Sequence, residues 1–256
     1  MIFDTHVHLN DEKISCELDT NIKNAINKGI NKFLCVGWDI ESSKKAIEIA
    51  HKYECVYVAI GIIPTEWRQY KDDTIAEFEK LINDEKIIAI GEIGLDYYWE
   101  KDDEIVKIQK EMFKRQIELA NKYNLPILIH CRNAYNDCLN IIKKFHVKRK
   151  SIMHCYSGSL EMARLFIKEN FAIAFGGVLT FKNSIECKNV FDNLDINDIV
   201  FETDAPYLSP VPYRGKTNKP EYIYETVKYA ANRKNMDFEE FSNIVYENTL
   251  KLFSRE

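Results

Sequence analysis

The chain of 256 residues carries 35 Lys and Arg against 40 Asp and Glu, a formal net charge of −5, with 46% hydrophobic and 29% charged residues. This balance excludes a disordered or collagen-like chain, and it lacks the broad basic footprint of a protein that grips nucleic acid along its length. Seven scattered cysteines without a CxxC pair argue against a disulfide framework and a cysteine-rich zinc site. No apolar run is long enough for a transmembrane helix, and MIFDTHVHLN lacks the basic-then-apolar order of a secretory signal, so no membrane association and a cytoplasmic location are expected.

Apolar runs rich in Ile, Val and Phe recur along the chain at Ile2–His8, Phe33–Gly37, Cys55–Gly61, Ile87–Glu92, Pro126–His130, Ser151–Cys155, Phe171–Phe175 and Ile199–Thr203. They are near-continuously apolar rather than alternating, the pattern of strands buried on both faces of a parallel sheet. Segments of helical period lie between them. Glu104–Asn121 lines up Ile105, Ile108, Met112, Phe113, Ile117 and Ala120. Ala134–Lys144 and Ser159–Lys168 show similar stripes, and a final helix starts near Asp237, its N-cap. Ser209–Pro220, with three prolines, reads as a long loop. Strands each followed by a helix predict an α/β chain folded as a (β/α)8 TIM barrel, regular or distorted, in one domain over residues 1–256. The alternative is an open doubly wound sheet, but no GxGxxG follows the first run.

On this map His6 and His8 close the first strand, Glu92 the fourth, His130 the fifth and His154 the sixth, while Asp204 follows the eighth. All six fall at the C-terminal strand ends, the face that carries the active site in barrel enzymes. Imidazole and carboxylate together suit divalent metals of the Zn, Mn or Fe class. Six ligands exceed what one tetrahedral ion takes, and a pair of ions bridged by a carboxylate uses them better. Taken singly, each residue has a plainer role: His130 as a hydrogen-bonded core residue, Glu92 as a helix cap, Asp204 as a turn former. The conjunction carries the metal reading, since only His51 and His146 lie outside the set. Cys131 and Cys155 adjoin two of these histidines; neighbours along a strand point to opposite faces, so both are read as core. Tyr97, Tyr98, Trp99 and Tyr207 fall in loops on the same face and are candidates to touch a nucleobase, with Trp67 a further one.

Several stretches are specific enough to suggest a family: FDTHVHL at the start, GEIGLDYY at 91–98, FKRQIELANKYNLPILIHCRNA at 113–134, MHCYSGS at 153–159, FGGVLTFK at 175–182, FETDAPYLSP at 201–210 and RGKTNKP at 214–220. The chain resembles the TatD family of metal-dependent deoxyribonucleases, within the amidohydrolase-like barrel group, over essentially its whole length. The resemblance implies two divalent cations (Zn, Mg or Mn) and hydrolysis of DNA phosphodiesters. The net charge of −5 points to weak, end-directed binding, so single-stranded DNA or DNA ends are the expected substrate, and a monomeric chain is expected. It implies His6, His8 and Asp204 on one ion, His130 and His154 on the other, and Glu92 bridging both, with Asp204 orienting the attacking water and taking its proton. Arg132 would contact the substrate phosphate. Tyr156 and Ser157 would line the substrate groove, or else pack and cap the helix beginning near Ser159. One departure stands out: the family's usual Gly-x-His-Pro is here Gly61-Ile62-Ile63-Pro64, so Ile63 replaces a histidine counted among the family's functional residues. Rival expectations are hydrolysis of an ester or amide, including removal of an acyl group from tRNA, and a non-enzymatic barrel that binds little metal.

Overall fold

The computed structural model describes residues 1–254. Eight strands form one parallel sheet whose hydrogen-bonded neighbours follow chain order: β1 (Ile2–Val7), β2 (Ile30–Val36), β3 (Val56–Ile60), β4 (Ile87–Asp96), β5 (Ile127–Arg132), β6 (Ser151–Met153), β7 (Phe171–Phe175) and β8 (Ile199–Phe201). The α-helices among the described residues are α1 (Glu12–Ser15), α2 (Leu18–Asn27), α3 (Ile40–Lys52), α4 (Thr74–Leu81), α5 (Asp103–Tyr123), α6 (Tyr135–Phe145), α7 (Leu160–Lys168), α8 (Ile185–Asn193), α9 (Ile223–Arg233) and α10 (Phe238–Phe253). The architecture is the (β/α)8 barrel that the sequence predicts.

One set of buried side chains fills the barrel interior, drawn from alternate positions of every strand: Phe3, Leu34, Ala59, Ala89, Leu128, Ile152, Ala172 and Val200. Alanines on β3, β4 and β7 leave room for the larger residues opposite them. Leu252 and Phe253 of α10 belong to the same cluster. The other strand face, with Val58, Ile90, Ile129, Ile173 and Phe201, packs against the helices through residues such as Phe113, Phe166 and Phe241. Both faces being dry is why the strands read as unbroken apolar runs.

The seam between β8 and β1 is irregular. The Asp204 N–H donates to the His6 carbonyl and the His8 N–H to the Ala205 carbonyl, each at 2.9 Å. The Asp4 carboxyl group accepts from the N–H (2.9 Å) and hydroxyl (2.6 Å) of Thr203, standing in for ladder bonds. Burial pushes the Asp4 carboxyl up to about 8.

Two further interruptions matter. Pairing of β1 with β2 is broken between Asp4 and Val7, and pairing of β4 with β5 between Ile90 and Ile93. They bracket His6 and Glu92, and irregularities of this kind re-aim side chains beside functional sites.

The helix ends follow local chemistry. Asp237 caps α10 by accepting from the N–H groups of Glu239 and Glu240, and Ser159 caps α7 by accepting from Met162 N–H. The expected boundaries shift in places. β2 begins at Ile30 rather than Phe33, β4 runs on to Asp96 rather than ending at Glu92, and β6 and β8 stop at Met153 and Phe201. No helix among the described residues is long and apolar enough to cross a membrane.

Candidate metal centre

The barrel interior sets the direction of the site. Leu128, Ile152 and Val200 point inward, so residues two further along each strand emerge on the same side at its upper end: His130, His154 and Glu202. His6 and His8 rise from β1, Glu92 from the irregular part of β4, and Asp204 from the seam, with φ at +54°. The structure therefore brings His6, His8, Glu92, His130, His154 and Asp204 to one end of the barrel.

Glu92 is the hub. One carboxylate oxygen lies 2.9 Å from His130 Nδ1 and 3.8 Å from His154 Nε2, and the other lies 3.3 Å from His6 Nε2. Asp204 Oδ1 is 3.5 Å from His8 Nε2 and 3.8 Å from His154 Nε2. The His6 and His154 rings stack with centroids 3.6 Å apart. His8 Nδ1 lies 3.1 Å from the Val36 carbonyl, which leaves Nε2 facing the cluster.

The electrostatics follow from burial opposed by neighbours. Burial works to raise the Glu92 carboxyl, but charge on His154, the hydrogen bond from His130 and the close approach of the His6 ring hold it well below its usual range. Burial likewise works against the low value of Asp204, which the His8 contact and His154 maintain. His130 and His154 resist the lowering effect of burial and are raised to about 9 and about 10, His130 by Asp96 and Glu92, His154 by Glu202 and Glu92. His6 is lowered by burial and by His154, which keeps it neutral.

The residues fit divalent cations. His6 is fully buried, and its Nε2, though near Glu92, is off the hydrogen-bonding direction, so both ring nitrogens lack a hydrogen-bond partner. Such an orphaned buried imidazole is costly unless it ligates something. Ligand atoms of His6, His8 and Glu92 all lie within 4.8 Å of one another, as do those of His154, Cys155 and Asp204, and of His6, His154 and Glu202. Nitrogen and carboxylate oxygen are the donors such ions accept. Protons on the raised His130 and His154 offset charge on the lowered Glu92 and Asp204, a role that bound cations could fill.

Three carboxylates join the site that were not singled out from sequence. Glu202 accepts from His154 Nδ1–H (2.9 Å) and from the Cys155 N–H (2.8 Å). Asp96 faces His130 Nε2 at 2.9 Å, and Asp4 holds the Thr203 turn that precedes Asp204. Such outer partners fix the tautomer and ring direction of a ligating histidine.

Cys155 requires a correction. It does not sit in the core behind His154: β6 has already ended, its φ is +44°, and its sulfur lies within the His154–Asp204 group. Burial and the surrounding carboxylates raise its thiol well above the usual range, so it is no thiolate nucleophile. Cys131 is buried as expected.

Beyond the cluster, Arg132 is exposed at the end of β5, its guanidinium carbon 3.7 Å from the Tyr98 ring centre. Tyr156 is buried and donates its hydroxyl to the Ser159 carbonyl, while Ser157 is exposed with its hydroxyl 3.0 Å from that of Tyr135. The α7 cap is made by Ser159 itself. His51 pairs with Asp84 at 2.8 Å, and His146 ends α6 in the left-handed region, both outside the site. A cavity of about 230 Å³ opens onto His8 and Glu92 and is walled by Trp38, Ile63 and Tyr207. Ile63 thus stands in the wall of the cavity beside His8 and Glu92.

The family model described as TatD related DNase matches residues 3–254. An uncharacterized metal-dependent hydrolase, YabD, of Bacillus subtilis is 40% identical across 99% of both chains, and an uncharacterized metal-dependent hydrolase of Buchnera aphidicola is 36% identical across 99% of this chain and 96% of its own. The crystal structure of YJJV, a TatD homolog from Escherichia coli, superposes with a TM-score of 0.93 at 25% identity, covering 98% of this chain and 97% of that one. Organophosphorus hydrolase from Deinococcus radiodurans, 12% identical with a TM-score of 0.67, shares the fold. The chain belongs to the TatD-related family and is a metal-dependent hydrolase.

Proposed function

We propose that this hydrolase is a deoxyribonuclease that uses two divalent ions to hydrolyse phosphodiesters of single-stranded DNA or DNA ends. The observation that carries the reading is the convergence of four imidazoles on Glu92 and Asp204 around an unpaired, buried His6. Divalent ions bound there would lower the pKa of water to near neutrality and offset charge developing on the phosphate. Glu92, central and nearly dry, suits the bridging position between the ions. Asp204 has the most exposed carboxylate of the cluster, with 14% of its side chain accessible against 4% for Glu92, so it is the group that can orient a water and accept its proton. Arg132, beyond His130, presents a planar fork suited to two phosphate oxygens. A site confined to one cluster of metal ligands is in keeping with a chain of net charge −5 that meets DNA at one phosphate.

A second reading rests on Ile63. An apolar side chain beside Trp38 neither donates a hydrogen bond to a phosphate nor carries a proton, and it suits the acyl part of an ester or an aminoacyl-tRNA. Rates on single-stranded DNA and on an aminoacyl ester, measured side by side before and after chelation, test both. DNA turnover lost on chelation supports the deoxyribonuclease; turnover of the ester alone refutes it.

A further inference from the structure

The turn after β4 carries two large exposed aromatic rings, Tyr98 with 46% and Trp99 with 66% of its surface accessible, meeting edge to face at 4.9 Å. Large exposed aromatics grouped together mark a surface that something else covers. The turn is rigidly indexed to the metal centre. One oxygen of Asp96 accepts from the N–H groups of Tyr98 (2.9 Å) and Trp99 (3.1 Å), and the other lies 2.9 Å from His130 Nε2. Gln109 of α5 clamps the Asp96 backbone from below, accepting from its N–H at 2.9 Å and donating to its carbonyl at 3.1 Å.

Arg132 completes the group. Its guanidinium lies 3.7 Å from the Tyr98 ring centre and 5.7 Å from that of Trp99, two residues beyond His130. Stacking on Tyr98 pre-orients the planar fork while leaving its N–H edge free for an anion. The Trp99 indole adds a flat apolar face alongside. A flat ring and an anion at a short, fixed separation are the two recognisable parts of one nucleotide.

We propose that Tyr98, Trp99 and Arg132 form a nucleotide subsite in which Trp99 stacks on the unpaired base beside the scissile phosphate and Arg132, held by Tyr98, takes a phosphate oxygen. This rests on the phosphodiesterase reading above and adds what that reading lacks, a reason for the substrate to be single-stranded: a base within a duplex has no free face to offer. Asp96 is then a positioning residue that joins subsite to metal centre.

The test uses the Mn²⁺-loaded protein and two short single-stranded oligodeoxynucleotides, one normal and one with a tetrahydrofuran abasic residue beside the cleaved bond. Removing a stacked base or its aromatic partner weakens binding by about 5- to 100-fold. Wild type is expected to show that ratio of KM between abasic and normal substrates. Trp99→Ala collapses the ratio to about one, and Trp99→Phe largely restores it. Equal ratios in wild type and Trp99→Ala overturn the subsite. Fluorescence anisotropy with the same labelled oligonucleotides reads base-dependent binding whether or not they are cleaved. Failure of wild type to cleave either one therefore refutes the phosphodiesterase reading, and equal binding of both by wild type refutes the subsite.

Discussion

Replacing Glu202 by Gln tests whether the carboxylates behind the cluster make the metal site. In the native arrangement the two Glu202 oxygens receive His154 Nδ1–H at 2.9 Å and the Cys155 N–H at 2.8 Å, with no exposed surface. A carboxamide keeps the volume but has one acceptor. If its oxygen faces His154, its NH2 confronts the Cys155 N–H and a buried donor is left unpaired, costing about 1–3 kcal/mol. If its NH2 faces His154, Nδ1 must accept, the proton moves to Nε2, and the lone pair aimed at Glu92 and Asp204 is lost. Either way, loss of such an outer partner reduces metal affinity about 10- to 100-fold. Competition with a fluorescent chelator gives the affinity, and denaturant unfolding of the metal-free protein gives the stability. At neutral pH the loss is partly offset, because without Glu202 the imidazole sheds its proton more readily; the affinity deficit should widen as pH rises. Metal affinity within twofold of wild type at every pH would refute the reasoning.

Gly94→Ala should be strongly destabilising: φ is +139°, and an added Cβ would stand 2.0 Å from the His130 carbonyl oxygen. A loss of about 2–5 kcal/mol in denaturant unfolding is expected, and an unchanged midpoint would contradict the close approach of β4 to β5. Metal affinity should rise by up to tenfold per pH unit for each proton displaced from His130 and His154, whose values are raised to about 9 and about 10; a flat profile between pH 7 and 9 would show they are not ligands. The same raised imidazoles stabilise the metal-free fold most below their ordinary value of 6.5, so its stability should fall as pH climbs from there through about 9 and 10. Ile63→His returns a hydrogen-bonding, protonatable ring to the cavity wall and should raise kcat on DNA by about tenfold or more. No gain would mean that the chemistry of that wall does not limit DNA turnover.

The ladder of eight strands was readable because each is buried on both faces, and the six candidate ligands because each closes or follows an apolar run, although Glu92 lies inside β4 at its break in pairing. What escaped was hidden by strand boundaries. Ending the fourth strand at Glu92 removed Asp96 from view, although positions 92, 94 and 96 share one face once the strand continues, as Gly94 allows by letting β4 pass against His130. Glu202 was legible in principle: it lies two residues past the inward Val200, the same step that takes Leu128 to His130 and Ile152 to His154. Cys155 followed an alternation rule that had already lapsed, since β6 ends at Met153 and its backbone turns left-handed. Helices α2, α3, α4, α8 and α9 were not placed from sequence.

The most direct test is a titration of metal-depleted protein with a divalent metal while single-stranded DNA hydrolysis is followed. The account predicts no cleavage at the start, activity that rises to a plateau at about two equivalents, and none at any loading in Glu92→Gln. Cleavage at full rate by the metal-depleted protein, or undiminished activity in Glu92→Gln, would contradict it.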